Sequence, residues 1–508
     1  MAYTSMEKEL KKTLDAQPYV STTADIWSAN NKSFMGVTVH WIDPHTLKRE
    51  KAAIACKRFR GSHTYDAITA ELEDIFSKYG LNHDKVTACV TDNGSNFVKA
   101  FKESHLLQQQ QDRHESSDEE EEEHNEEEDE VIFTDLDSVL TQAMEEDAQP
   151  GLFVLPPHYR CAAHTLNLIA TNEVDKLLSS HSESRAVYRS ATAKCSAMWT
   201  KASRSTIASE ILEKISPRKL IVPTVTRWNS FHDAYSRITA MPLADINNIC
   251  IKLQIKCMND REYLFLKEYC SVLKPFTCAL DKLQGETTCY YGTLQPTLES
   301  LIERTMALQD GLSQMTAALP GAIVAAVRRR FAGILDSKDA VLAAVSLPKF
   351  KLRWVKQEEA RRDHIKLLLT AECRKLERRA PADPTPGLES AAAAAAASQE
   401  EDDDDDFFSF EKELGGGNES AATTVESEVT AYLHSAVKME DLHKFPRIKQ
   451  ISLRYNAPTP SSAPVERLFS LGSLILTPKR NRLGDERFER LLLMRFNRYF
   501  SATPATVG

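Results

Sequence analysis

The hydrophobic period of this 508-residue chain alternates between strand and helix up to about residue 174 and is helical from Arg185, which points to an α/β unit joined to a largely helical one. Tyr19 and Val20 open a strand expected to end near Asp25, and Ser33–Ile42 and Ala52–Phe59 are β-branched and aromatic enough to read as two more. Asp43-Pro44 supplies the turn between those two. From a Thr64 cap, Tyr65, Ile68, Leu72, Ile75, Phe76 and Tyr79 then recur at helical spacing until Gly80 stops them. Lys85–Thr91 is a fourth strand, and Asp92-Asn93-Gly94 turns out of it into a helix bearing Phe97, Ala100 and Phe101. Tyr159–Cys161 reads as a fifth, leading into a helix over Ala163–Val174. From Arg185 to about residue 380 the period is helical, with Pro223, Pro275, Pro296 and Pro320 expected to break it.

Two acidic tracts interrupt this pattern. Glu115–Glu130 holds 12 acidic residues without a Lys or Arg, and Glu400–Asp406 holds 7 more. Setting those 19 charges aside turns the formal net charge of −10 into +9 for the rest. The basic excess is concentrated in Arg185–Arg237, with ten Lys and Arg against three Asp and Glu, and in Asp441–Phe500, with twelve against five. Faces of that kind attract polyphosphates; the acidic tracts either compete for them as tethered mimics or only solubilise the chain. A bilayer-spanning apolar run and a signal peptide are both absent from the sequence, and the ten cysteines are expected to be free thiols. A cytosolic or nuclear protein that contacts no membrane and takes no small-molecule substrate is the expectation.

The last fifth of the chain carries the densest signal. In Ser461–Phe496, Val465, Leu468, Phe469 and Gly472 lie at helical spacing, with Glu466 at the edge of that apolar face. Pro478 ends the pattern, and Phe488, Leu491, Leu492, Phe496 and Tyr499 define a second amphipathic helix. The run S-A-x-x-E-R-x-F-S-x-x-G followed by P-K-R-x-R-L resembles the C-terminal block of hAT-superfamily transposases. Upstream, STTADIWSANNKSFMGVTVHWID, VTDNGSNFVKAF, RCAAHTLNL, VPTVTRWNS and LKPFTCALDKLQG resemble further blocks of that family, in its order.

This resemblance implies an α/β plus all-α architecture: an RNase H-like mixed sheet interrupted by a large helical insertion and followed by a helical C-terminal dimerisation region. The expected boundaries are 1–18 for an N-terminal linker or helix and 19–180 for the first part of the core, with a disordered acidic insert at about 106–130. The helical insertion spans 185–440, with a disordered linker at about 381–418, and 441–500 completes the core and the dimerisation region. The resemblance places Asp25, Asp92 and Glu466 as catalytic carboxylates that hold Mg²⁺ or Mn²⁺. Hard oxygen ligands suit these ions, and a pair of them about 4 Å apart serves both the attacking and the leaving oxygen of a phosphoryl transfer. It also implies strand cleavage by water followed by attack of the freed 3′-hydroxyl, and a homodimer or higher oligomer whose surface includes Leu468, Phe469, Leu491, Leu492 and Phe496.

Other residues admit two readings each. Arg227 and Trp228 suit a DNA phosphate and a stacked base, or a helical core. Lys479, Arg480 and Arg482 suit a DNA backbone or nuclear import, or a solvated rim. Cys161 and His164 lack a second pair at finger spacing, so they are expected to be structural, with no zinc. Members of the family usually begin with a BED zinc finger, yet no Cys-x-x-Cys occurs in this sequence; recognition of transposon ends is therefore not expected. A second overall reading stays open, a catalytically inactive, domesticated transposase acting as a dimeric nuclear scaffold or transcription regulator.

Overall fold

A computed structural model describes residues 2–102, 104, 155–180, 182–216, 218–223, 228–285, 289–356, 358–379, 407–408, 424–477 and 483–501. Its centre is a five-stranded sheet of β1 (Val20–Ala29), β2 (Lys32–Ile42), β3 (Arg49–Phe59), β4 (Val86–Thr91) and β5 (His158–Arg160), in the order β3-β2-β1-β4-β5. β1, β2 and β3 form an antiparallel meander, and β1, β4 and β5 run parallel. The first strand does not stop near Asp25. It continues to Ala29, because the tight turn at Asn30-Asn31, both left-handed, keeps it paired with β2. What ends near Asp25 is the parallel ladder with β4, whose last pair is Ala24 with Thr91.

Period-2 alternation gives the sheet two apolar faces. One carries Val20, Ala24, Met35, Val37, Val39 and Ile54 and is covered by α1 (Ala2–Asp15) and α2 (Tyr65–Lys78). Gly80, at φ +65°, follows α2 where a side chain would be strained. The other face carries Phe34, Ala53 and Cys56 and is covered by α3 (Ala463–Ile475) and α4 (Asp485–Phe496). α4 also closes the sheet's β3 edge. Asn497, just past its end, accepts a hydrogen bond from the Ala53 N–H at 2.8 Å and donates one to the Ala53 carbonyl at 2.7 Å, while Glu489 accepts from the Cys56 N–H at 2.9 Å.

The remaining described residues are mostly helical, with a core of their own that runs from Ala162 to Leu453. Pro275 does not break this block; it lies inside the helix Asp260–Leu283. Phe265, Val272, Leu273, Phe276 and Leu280 are buried on both sides of it, and that packing holds the helix across the missing donor. Pro320 sits at the start of Leu319–Arg330, where its absent N–H costs nothing. Two segments expected to be disordered, 106–130 and 381–418, lie outside the described residues except for Phe407 and Phe408, which are buried. No described helix is long and apolar enough to cross a membrane.

Candidate active site

The Ala24–Thr91 pair fixes the site. One residue beyond it on each strand are Asp25 and Asp92, so the two carboxylates leave neighbouring parallel strands side by side, where strands are about 4.8 Å apart. They line a cleft with His63, Gly94, Ser95 and Asn96. The Asp25 carboxylate accepts the Ile26 N–H at 2.7 Å, and that of Asp92 accepts the Gly94 N–H at 3.0 Å, which aims it as the chain turns into the helix at 95–102. Burial pushes the Asp25 carboxyl up to about 7, helped by the charge of Asp92 and, less, by that of Glu466, against the Ile26 hydrogen bond. Adjacent acids in a poorly solvated cleft resist simultaneous ionisation.

Helix α3 crosses the sheet beside them. Gly36 is the β2 partner of Asp25, and a Cβ there would lie 2.4 Å from the Phe469 ring and 2.9 Å from Val465. Glycine is therefore what lets α3 approach so closely. Phe469 stacks on Trp27 with ring centroids 5.6 Å apart, and Phe34 meets Phe488 of α4 at 4.9 Å. Glu466, in the first turn of α3, is exposed. Its helix is anchored through Cys161, whose N–H donates to the Thr91 carbonyl at 2.8 Å and whose sulfur accepts the N–H groups of Ser462 and His164, both at 3.3 Å. His164 is half-buried beside it.

A strap over residues 456–462 delivers the chain to α3. The buried Arg49 guanidinium donates to the carbonyls of Asn456, Ala457 and Pro458, and Ser21 donates to Ala457 at 2.8 Å, tying the strap to the sheet. The buried Asn456 side chain accepts the Gly292 N–H at 2.8 Å and donates to the Ala343 carbonyl at 3.0 Å, tying it to the helical block. Sequence reasoning passed over Arg49, Asn456 and His63. An arginine opening a strand and an Asn-Ala-Pro run are ordinary until the fold joins them; only the loop position of His63 was a usable hint.

Of the residues singled out for dimerisation, Leu468, Phe469 and Leu492 are buried in the chain's own core against the sheet. Phe496 is half-buried, with Lys51 5.7 Å from its ring centre, and Leu491 is 42% exposed. Arg227, Lys479, Arg480 and Arg482 lie outside the described residues, as does the side chain of Trp228.

Comparison with known proteins agrees with this geometry. Residues 23–118 match the family model of the ZBED1 RNase-like domain. A 165-residue stretch is 28% identical to a putative AC transposase of Zea mays, covering 32% of this chain and 16% of that protein. The same length is 28% identical to a putative AC9 transposase of Zea mays, covering 15% of the relative. The matched stretch thus spans about a sixth of these relatives. Sheet order and family match together define an RNase H-like domain carrying a large helical insertion. Over part of its length, the chain is thus similar to transposases of the hAT family.

That family implies a divalent metal ion. The Asp25–Asp92 pair suits one, since Mg²⁺ takes one or two carboxylates and keeps its other positions for water and phosphate. A cation there would offset the charge of Asp92, which adds to burial in raising the Asp25 carboxyl. Among the described residues, however, no three His, Cys, Asp or Glu side chains converge on one ion, so Glu466 does not complete a three-carboxylate cage here.

Proposed function

We propose that this chain is a transposase-derived DNA strand-cleaving and strand-transferring protein in which Asp25 and Asp92 hold Mg²⁺ or Mn²⁺ and Glu466 acts from the rim. One observation carries the reading: two aspartates adjacent across parallel strands, one of them buried enough to retain a proton near neutrality. When bound, the ion supplies an activated water and neutralises charge on the phosphate. Asp25 gives up its proton as the site is occupied, and Asp92 stays aimed by the Gly94 N–H. His63, Ser95 and Asn96 offer donors along the path of a phosphate backbone. Such a substrate makes the nucleus the expected compartment. Self-association would use what α3 and α4 leave exposed, Leu474 and Leu491, rather than the buried Leu468, Phe469 and Leu492.

Exposure of Glu466 favours the second reading, a non-catalytic scaffold that keeps the fold. Nicking of supercoiled plasmid in Mn²⁺ and then Mg²⁺ separates the two. Metal-dependent nicking is expected from the wild-type chain, falling to background in Asp92→Asn and in Glu466→Gln. Folded wild-type protein that nicks no more than Asp92→Asn would move the conclusion to the scaffold.

A further inference from the structure

Phe407 and Phe408 stand between residues 380–406 and 409–423, a stretch dominated by an alanine run, consecutive acids and three glycines. Both rings are nonetheless 6–7% exposed and fill a pocket on the helical block. Arg304, on the helix Leu294–Met306, recognises backbone and ring at once: its Nε donates to the Phe407 carbonyl at 2.9 Å and its guanidinium lies 5.2 Å from the Phe407 ring centre. Lys282, near the end of Asp260–Leu283, places its ammonium 5.4 and 5.1 Å from the two ring centres. Lys349 lies 5.5 Å from the Phe408 ring, and Phe350 meets that ring edge-on at 5.1 Å. Three cations on three separate segments surround two neutral rings.

We propose that this pocket is a recognition site for an acidic–aromatic peptide and that the chain's own Phe407-Phe408 segment occupies it in cis. The backbone contact from Arg304 and the paired buried rings select a peptide over a phosphate, which offers neither. Cation–π contacts supply part of the attraction at the rings. The sequence is complementary in sign to the three cations, since seven consecutive acidic residues, Glu400–Asp406, directly precede Phe407. A covalently attached occupant competes at high effective concentration, so a partner with the same chemistry enters only when it displaces that segment. The pocket is separate from the Asp25–Asp92 cleft, and its role does not depend on strand cleavage.

A labelled peptide with the sequence of residues 400–410, added to the full chain and followed by fluorescence anisotropy, tests this directly. The Phe407→Ala/Phe408→Ala chain, its pocket vacated, is expected to bind the peptide at least tenfold more tightly than the wild-type chain does. Binding is expected to weaken at least tenfold when both peptide phenylalanines are alanine, and again when Lys282→Ala and Lys349→Ala are added to the vacated chain. A folded vacated chain that ignores the peptide, or binds the phenylalanine-free version equally, overturns the proposal. If the double variant does not fold, Phe408→Trp in the otherwise intact chain decides. Blue-shifted emission, resistant to acrylamide and moving to the red with excess unlabelled peptide, is expected; emission of a solvated indole, or a buried one that no peptide excess moves, refutes it.

Discussion

Asp25 shows what a buried carboxylate costs its own fold. Its native value of about 7 lies above the ordinary 3.8, so the folded chain holds a proton that the unfolded chain has released. Stability from this group is full below pH 3.8 and is lost as the pH rises to about 7. In chelator-treated buffer at pH 7, Asp25→Asn is expected to gain on the order of 2–4 kcal/mol, a gain that disappears in melts recorded below pH 4. A flat difference across that range would show that the carboxyl is not held protonated. Gly36, opposite it on β2, answers to sterics instead: Gly36→Ala drives a methyl into Phe469, and urea titration should show a loss of about 1–3 kcal/mol. Phe469→Leu in the same chain is expected to restore part of that loss. If Gly36→Ala is silent, α3 does not press on the sheet as described.

At the scale of elements, much was legible and the exceptions have physical causes. β2, β3, β4 and the apolar face of α3 were readable because alternation and helical spacing are local signals. The continuation of β1 past Asp25 was not, since it depends on a β2 partner rather than on β1's own residues. Pro275 misled for the same reason, as burial of the flanking turns overrides the local penalty. The Asp25–Asp92 pairing was suggested by two strand-end motifs, but its register had to come from the sheet. Closure of the β3 edge was invisible, because Asn497 and Ala53 are 444 positions apart. Asn497→Ala leaves the Ala53 N–H and carbonyl unpaired in a buried setting, at about 1–3 kcal/mol for each group. Denaturant midpoints measure that cost, and light scattering on warming should show earlier self-association through the opened edge. An unchanged midpoint would mean that water replaces the amide without loss.

Across the whole molecule the strap at 456–462 is one of the ties between the sheet with its covering helices and the helical block, beside Tyr159 of β5, which stacks on Tyr291 and donates to Asp339. Asn456→Ala removes the side-chain bonds to Gly292 and Ala343 while leaving the backbone carbonyl that Arg49 grips. Calorimetry is expected to broaden or split, in that variant, the single transition of the wild-type chain, because part of the coupling between the cores passes through this segment. A single unbroken transition would place the coupling elsewhere.

The lid on the β3 edge also has a consequence in time. A ribosome adds roughly 5–20 residues per second, so the 444 residues separating Ala53 from Asn497 take about 20–90 s to appear. Throughout that interval a nascent sheet would present an uncapped strand, and until Val465 and Phe469 are made it would also present a bare groove at Gly36. Chains that emerge faster than they are shielded would meet neighbours before they meet their own C-terminal helices.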